Sequence, residues 1–245
     1  MAFDLQSIQR NKATAAPRIF LYGVEGIGKS TFGAMAPAPI FIPTEDGLGR
    51  LEVDHFPLAK STDDIMSAIA TLYQEQHDFK TVVIDSVDWA ENFIFRELES
   101  QYDAKDLAYG KSAVLAADKW RGIIEGLDAL RNDRGMTVIL IAHCQIKRFE
   151  SPEVEPYDRY QPKLQDRSSA ILREWADCVL FANWQTVTKK EDAGGFNKER
   201  YRGISTGQRL LHTSERPAHM AKNRYALPDT IPLDWNEFSK LIQQS

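Results

Sequence analysis

The sequence predicts an α/β fold built on a mostly parallel central sheet with helices on both of its faces. Short apolar runs rich in β-branched residues alternate with longer helical patterns through the first three quarters of the chain. These runs lack the polar alternation of half-exposed strands, which is typical of strands buried on both faces. Strands that alternate with helices in this order favour parallel pairing. The strands are predicted at residues 18–23, 39–44, 80–85, 137–143 and 178–182.

Helical periodicity indicates three longer helices between these strands. In the first, at about residues 62–76, Ile65, Ile69 and Leu72 share one face. Ser61 and two aspartates stand at its start, as expected for a capped helix N-terminus. The other two helices are predicted at about residues 87–102 and 112–132.

The pattern changes after residue 182. Short β-like pieces at 184–188, 208–213 and 218–224 flank a glycine-containing loop at 189–197, which predicts a C-terminal β-hairpin extension. A proline-rich stretch then leads to a last short helix, for which Asp234 is the predicted N-cap. The predicted organisation is an N-terminal segment at 1–17, a core at 18–228 whose β-rich edge spans 183–228, and a short C-terminal helix within 229–245.

Composition excludes several classes of protein. With 43% hydrophobic and 27% charged residues, the chain is typical of a soluble globular domain. No apolar run reaches the ~18 residues of a membrane span, and the polar N-terminus does not resemble a secretory signal. Cys144 and Cys178 have neither metal-ligand spacing nor a disulfide pattern. We therefore expect a cytoplasmic protein with no membrane partner.

The net charge of −5 is unevenly distributed. Residues 1–144 carry 14 basic and 21 acidic side chains, whereas residues 186–225 carry nine basic and four acidic ones. A basic segment on an acidic body indicates a place where polyanions dock. A solvated hairpin with scattered charges explains the same composition.

Residues 23–30 read Gly-Val-Glu-Gly-Ile-Gly-Lys-Ser and fit the pattern G-x-x-x-x-G-K-[ST] of a P-loop. The glycines let successive N–H groups point at a phosphate. Lys29 supplies a positive charge for the β- and γ-phosphates, and Ser30 supplies a hydroxyl ligand for Mg²⁺. The motif thus predicts ATP and Mg²⁺ as cofactors. The predicted nucleotide-binding residues are Gly23, Val24, Glu25, Gly26, Ile27, Gly28, Lys29, Ser30 and Thr31.

Two acidic positions complete the predicted site. Asp85 ends a buried strand and is the second predicted Mg²⁺ ligand beside Ser30. Many ring ATPases place a carboxylate directly after this aspartate, but here Ser86 follows, which disfavours that branch. Glu45 instead ends the preceding predicted strand, where it would face the γ-phosphate, and Asp46 is the alternative.

Taken in their order along the chain, the motifs of residues 18–228 resemble those of the RecA-like recombinase core. The resemblance is strongest to the short phage-encoded RecA-like ATPases of single-strand annealing and recombination. The resemblance implies a RecA-like P-loop NTPase fold with Glu45 as the catalytic carboxylate. It places His143 where the family has a γ-phosphate sensor, usually glutamine. It also matches Lys222 and Arg224 to a basic-Asn-basic element that reaches a neighbouring subunit's γ-phosphate. With Lys29, these are the predicted catalytic residues of a site shared within a homo-oligomer, a filament or a ring.

The resemblance further implies single-stranded DNA as a partner through two loops, at about 103–111 and 145–169. On composition alone the second is a surface loop, because its acidic and basic side chains balance. The predicted DNA-contacting residues are Tyr109, Lys111, Lys147, Arg148, Arg159, Lys163 and Arg167.

The function expected first is therefore an ATP-hydrolysing RecA-like protein that assembles on single-stranded DNA and promotes annealing or homologous recombination of the phage type. It would act in the cytoplasm of a bacterial host, with a single-strand-binding protein as a further candidate partner. Two alternatives stay open. One is an ATP-gated annealing protein with negligible hydrolysis, and the other is a RecA-like motor or loader for a replication helicase or packaging machine.

Overall fold

The computed structural model describes residues 15–192 and 199–244, so most of the predicted N-terminal segment 1–17 lies outside the described residues. The strands are β1 (Arg18–Gly23), β2 (Pro39–Pro43), β3 (Asp54–His55), β4 (Thr81–Asp85), β5 (Thr137–Phe149), β6 (Tyr157–Pro162), β7 (Cys178–Asp192), β8 (Glu199–His212), β9 (Lys222–Asn223) and β10 (Thr230–Pro232). The helices are α1 (Lys29–Ala34), α2 (Thr62–Gln74), α3 (Val87–Gln101), α4 (Ala104–Leu107), α5 (Lys111–Arg134), α6 (Asp166–Trp175) and α7 (Trp235–Gln244).

The central sheet has the strand order β10-β8-β7-β1-β5-β4-β2-β3. Strands β7, β1, β5, β4, β2 and β3 run parallel, while β8 and β10 extend the sheet in antiparallel fashion. Strand β5 lies between β1 and β4, so the strand that leads to the P-loop does not touch the strand that ends in Asp85. The α/β class with a mostly parallel sheet is confirmed.

Helices cover both faces of this sheet. On one face α2, α3, α5 and α6 bury side chains such as Ile65, Trp120 and Leu172 against the strands. On the other face α1 and α7 pack together, and the rings of Phe32 and Phe238 meet edge to face with centroids 5.7 Å apart. The C-terminal helix is therefore part of the core. Among the described residues, no helix combines the length and apolarity required to cross a bilayer.

Two predicted helix starts are confirmed by their caps. The Ser61 hydroxyl accepts the backbone N–H of Asp64, and the Asp64 carboxylate accepts the N–H of Ser61, which forms a capping box at α2. At α7, Asp234 accepts the N–H groups of Asn236 and Glu237. Both caps use residues within three positions of one another, so the local sequence specifies them.

The predicted irregular loop at 145–169 is wrong. Strand β5 continues past His143 to Phe149 and forms an antiparallel hairpin with β6, in which Ile146 pairs with Tyr160 and Phe149 with Tyr157. The ring centroids of Phe149 and Tyr157 lie 5.5 Å apart. Charged residues interleave with these positions, so the stabilising contacts are cross-strand pairs that a search for local periodicity does not detect.

The predicted hairpin extension is present and longer than expected. The pieces at 178–182, 184–188 and 208–213 belong to one β7–β8 hairpin, with an irregularity between Trp184 and Thr186. Residues 193–197 of the predicted glycine-containing loop lie outside the described residues, and residues 189–192 belong to β7. The piece predicted at 218–224 is reduced to β9, which pairs with the start of β7.

Candidate active site

The P-loop joins β1 to α1, and two of its glycines are required by geometry. Gly23 lies so close to β7 that a Cβ there would stand 2.2 Å from the carbonyl oxygen of Ala182. Gly28 has φ 106°, a left-handed conformation that a side chain would strain, and it begins α1. Inside the loop, the Lys29 ammonium donates to the carbonyls of Gly23 and Val24, both at 3.1 Å. The loop is therefore closed around a buried positive charge.

The two predicted metal ligands meet at the carboxyl edge of the sheet. The Ser30 hydroxyl donates to a carboxylate oxygen of Asp85 at 2.5 Å. In the described part of the chain, no group of three or more His, Cys, Asp or Glu side chains is arranged to hold a metal ion. Mg²⁺ in nucleotide sites typically takes one or two protein oxygens and completes its shell with phosphates and water. Ser30 and Asp85 fit a magnesium–nucleotide complex of this kind.

At this edge, burial favours the neutral forms of Asp85 and Lys29. It raises the pKa of Asp85, although the Ser30 hydrogen bond and the Lys29 charge oppose this. Burial likewise lowers the pKa of Lys29, against the charge of Asp85. Each shift is a cost of holding a charge out of water. A bound cation near Asp85 and a phosphate near Lys29 would restore the charged forms.

Glu45 is the second residue after the end of β2 and is half-buried beside the same edge. Its neighbour Thr44 anchors the turn, because its hydroxyl donates to the carbonyl of Ser86 at 2.6 Å and accepts the Ser86 N–H at 2.8 Å. Burial raises the pKa of Glu45. The carboxylate lies 3.9 Å from Nε2 of His143, whereas the alternative residue Asp46 is exposed.

His143 is held by a residue that sequence reasoning missed. Asp88, in the first turn of α3, is 7% exposed and accepts both the backbone N–H and the Nδ1–H of His143, each at 2.9 Å. Burial acts to raise the pKa of Asp88, but these hydrogen bonds outweigh it and the pKa is lowered. The same contact raises the pKa of His143. In the sequence, the only signal for Asp88 is its position three residues after Asp85, and this position does not indicate His143 as its partner.

Arg209 is a second residue that the sequence did not assign to the site. It lies on β8 and reaches the outside of the P-loop, with Nη1 3.4 Å from the carbonyl oxygen of Ile27. A Cβ on Gly28 would stand 2.7 Å from the same Nη1 atom. The basic C-terminal segment therefore supplies a cation to the P-loop of its own chain.

Lys222 and Arg224 lie at the opposite edge of the sheet, where β9 pairs with the start of β7. The Lys222 ammonium donates to three carbonyls at the end of α6, those of Arg173, Glu174 and Ala176, at 2.8–3.0 Å. Arg224 forms an ion pair with Asp177 at 3.0 Å. The structure does not bring either cation to the P-loop of the same chain, and contact with a neighbouring subunit stays a prediction.

The predicted DNA-contacting residues fall into two groups. Tyr109, in the turn before α5, and Lys111, the first residue of α5, are both exposed. Around the β5–β6 hairpin, the exposed members are Lys147, Arg148, Lys163 and Arg167, of which Lys147 is paired with Asp166 at 2.6 Å. The expectation that Arg159 contacts DNA does not fit the structure. Arg159 is only 4% exposed, forms an ion pair with Glu215 at 2.7 Å and lies over the Phe149 ring. Its position on β6 turns the guanidinium inward, into structural contacts.

The fold and the site together define a P-loop ATPase. A family model described as an AAA domain matches residues 15–225, and the chain belongs to this family. The chain is also 24% identical over 242 residues to the SPbeta prophage-derived uncharacterized protein YorG of Bacillus subtilis (strain 168). That alignment covers 94% of this chain and 67% of the relative.

Proposed function

We propose that this protein hydrolyses ATP with Mg²⁺ and couples hydrolysis to single-stranded DNA, as a RecA-like protein of phage-type annealing or recombination. The observation that carries the ATPase part is the position of Glu45. Its half-buried carboxylate lies across from His143 and near enough to Asp85 for that charge to act on the pKa of Glu45. This arrangement places an acidic group at the carboxyl edge of the sheet, where ligands of such sheets bind.

The chemistry assigned to Glu45 is general-base catalysis. A distance of 3.9 Å from Nε2 of His143 is too long for a hydrogen bond, so His143 does not occupy this oxygen of the Glu45 carboxylate. Glu45 would accept a proton from the attacking water, and its raised pKa suits that task. Lys29 would neutralise the β- and γ-phosphates. Mg²⁺, held by Ser30 and Asp85 when bound, would neutralise the charge that develops on the leaving phosphate.

The DNA part of the proposal is supported by the continuity of β5. The strand runs without a break from His143 into the β5–β6 hairpin. Exposed cations stand on and beside that hairpin, at Arg148, Lys163 and Arg167. Exposed basic side chains suit the phosphates of a single strand. The prophage origin in the relative's name supports a phage source and a bacterial host, and assembly as a homo-oligomer belongs to the same proposal.

ATP turnover with and without single-stranded DNA tests this proposal. We expect the DNA to stimulate turnover, and we expect Glu45→Gln to bind ATP but to lose about 10²–10⁴-fold in rate. Asp46→Asn is the matched control, because it neutralises the exposed neighbouring carboxylate and should keep full activity.

Turnover that is indifferent to DNA would overturn the DNA part, and full activity in Glu45→Gln would overturn the assignment of the base. Annealing that survives in Glu45→Gln with ATP bound would favour an ATP-gated annealing protein. Closed rings that translocate would favour a motor or loader.

A further inference from the structure

The contact between Asp88 and His143 determines which ring nitrogen of the histidine carries a proton. An ionised carboxylate can only accept hydrogen bonds. Since Nδ1 lies 2.9 Å from one Asp88 oxygen, Nδ1 must be the protonated nitrogen. The other Asp88 oxygen is occupied by the backbone N–H of His143, so the carboxylate cannot rotate away. The structure thus specifies the Nδ1–H form of the ring.

On the side of the ring that faces the nucleotide site, this form leaves Nε2 without a proton. In a neutral imidazole with Nδ1–H, the opposite nitrogen Nε2 is an acceptor. Here Nε2 points toward the carboxylate of Glu45 at 3.9 Å. A phosphoryl oxygen is also an acceptor. Neutral His143 therefore has no donor for a γ-phosphate, whereas the imidazolium has one at Nε2.

We propose that Asp88 is a positioning residue that makes His143 contact the γ-phosphate as an imidazolium, with Nε2–H as the donor. This inference rests on the proposed ATPase function. It distinguishes the site from one with a glutamine sensor, whose amide donates at any pH. In the nucleotide-free protein the same Nε2–H faces Glu45. At 3.9 Å this proton is not hydrogen-bonded to Glu45, so an arriving γ-phosphate would be its acceptor and Glu45 would stay available to bind water.

The charges around the ring favour the protonated form. Two carboxylates raise the pKa of His143, those of Asp88 on α3 and of Glu45 after β2, and the ammonium of Lys29 opposes them. The pKa of His143 is raised from its ordinary value of 6.5, chiefly by the hydrogen bond to Asp88, although burial opposes the shift. The ring is buried enough, at 21% exposure of the side chain, for this pairing to persist.

The test is a pH titration of the protein by ¹H–¹⁵N NMR of its histidine rings. The signal of His143 is assigned by its loss in His143→Gln, and the other four histidines serve as internal references. We expect the Nδ1–H form above the pKa and a pKa higher than 6.5. An Nε2–H form in the unmodified protein would overturn the proposal, and this measurement does not depend on any variant folding.

Asp88→Asn provides the matched variant. Its amide oxygen can still accept the backbone N–H of His143, which directs the NH₂ group at Nδ1 and reverses the ring to the Nε2–H form. We expect a lower pKa for His143 and unchanged signals from the other histidines. An unchanged pKa and ring form in this variant would contradict the proposal.

The kinetic readout is the pH dependence of ATP turnover. In the unmodified protein the rate should fall about tenfold per pH unit above the pKa of His143. This fall should disappear in Asp88→Asn and in His143→Gln, since both present a neutral donor. Its persistence in either variant would overturn the proposal. A protein that shows the expected ring form but hydrolyses no ATP would instead refute the proposed function and leave the role of Asp88 in the ring form intact.

Discussion

The hydroxyl of Ser30 lies 2.5 Å from the carboxylate of Asp85, although 55 residues separate them in the chain. Strand β5 lies between the strands that precede these residues, so the two side chains approach one another across the end of an intervening strand. The nucleotide site therefore depends on the order of the strands as much as on the P-loop itself.

Asp85→Asn should separate stability from function. Because burial raises the pKa of Asp85, its charged form destabilises the nucleotide-free protein at neutral pH. The asparagine keeps an oxygen that can accept from Ser30 and removes that charge. We expect a higher melting temperature without ligand and no further rise on adding ATP with Mg²⁺. Calorimetry with and without MgATP checks both parts, and a lower melting temperature without ligand would contradict the first.

Arg209→Ala should weaken ATP binding with little effect on folding. The guanidinium is exposed and makes one long contact to the P-loop, so its removal leaves no buried group unpaired. We expect about a fivefold weaker Kd for ATP, the scale of an exposed charge pair worth roughly 1 kcal/mol. Titration with a fluorescent ATP analogue measures it. Arg216→Ala, which removes an exposed arginine paired with Asp229, is the control and should bind normally.

Two neighbouring histidines, His212 at the end of β8 and His219, should make the protein sensitive to acid. The rings of His212 and His219 lie 4.4 Å apart, and burial together with the neighbouring His219 lowers the pKa of His212 to about 4. The unfolded chain titrates near 6.5 and so binds the proton first, which means that stability is present above pH 6.5 and is lost as pH falls toward 4. Between pH 7 and pH 5, the melting temperature of His212→Gln should therefore fall less than that of the unmodified protein. Equal losses in the two proteins would refute this account.

Phe238→Ala should destabilise the whole domain. Phe238 is fully buried between α7 and α1 and meets the rings of Phe32 and Trp235. Replacing such a ring leaves a cavity and costs about 3–5 kcal/mol. Denaturant unfolding should show a single transition at lower midpoint. A separate early transition would instead mean that α7 unfolds independently of the core.

Lys222→Ala tests the structural role of the cation at the end of α6. Its three carbonyl contacts suggest a loss of about 1–2 kcal/mol in unfolding free energy, measured by denaturant unfolding.

The same variant tests whether Lys222 acts on a neighbouring subunit. Restored turnover on mixing Lys222→Ala with Glu45→Gln would show that the two residues act across a subunit boundary. Normal turnover by the variant alone would rule out a role at a neighbour's γ-phosphate.

Local sequence was sufficient for much of the fold. The strands ending in Gly23 and Asp85 were predicted to within one residue, and the starts of α2 and α7 followed from their capping residues. These signals act over a few neighbouring positions, so a linear sequence contains them. The β5–β6 hairpin was missed because its stabilising pairs, such as Phe149 with Tyr157, join residues that lie on different strands.

By itself the sequence determined the class of this protein, a P-loop ATPase, because the residues that shape a phosphate-binding loop are contiguous from Gly23 to Ser30. Only the tertiary structure decided what surrounds that loop. It brought Asp88 to His143, Arg209 to the P-loop, and Lys222 to the end of α6. The physical reason is that hydrogen bonds and charges act over a few ångströms, while the residues that make them here are separated by 46 to 182 positions in the chain.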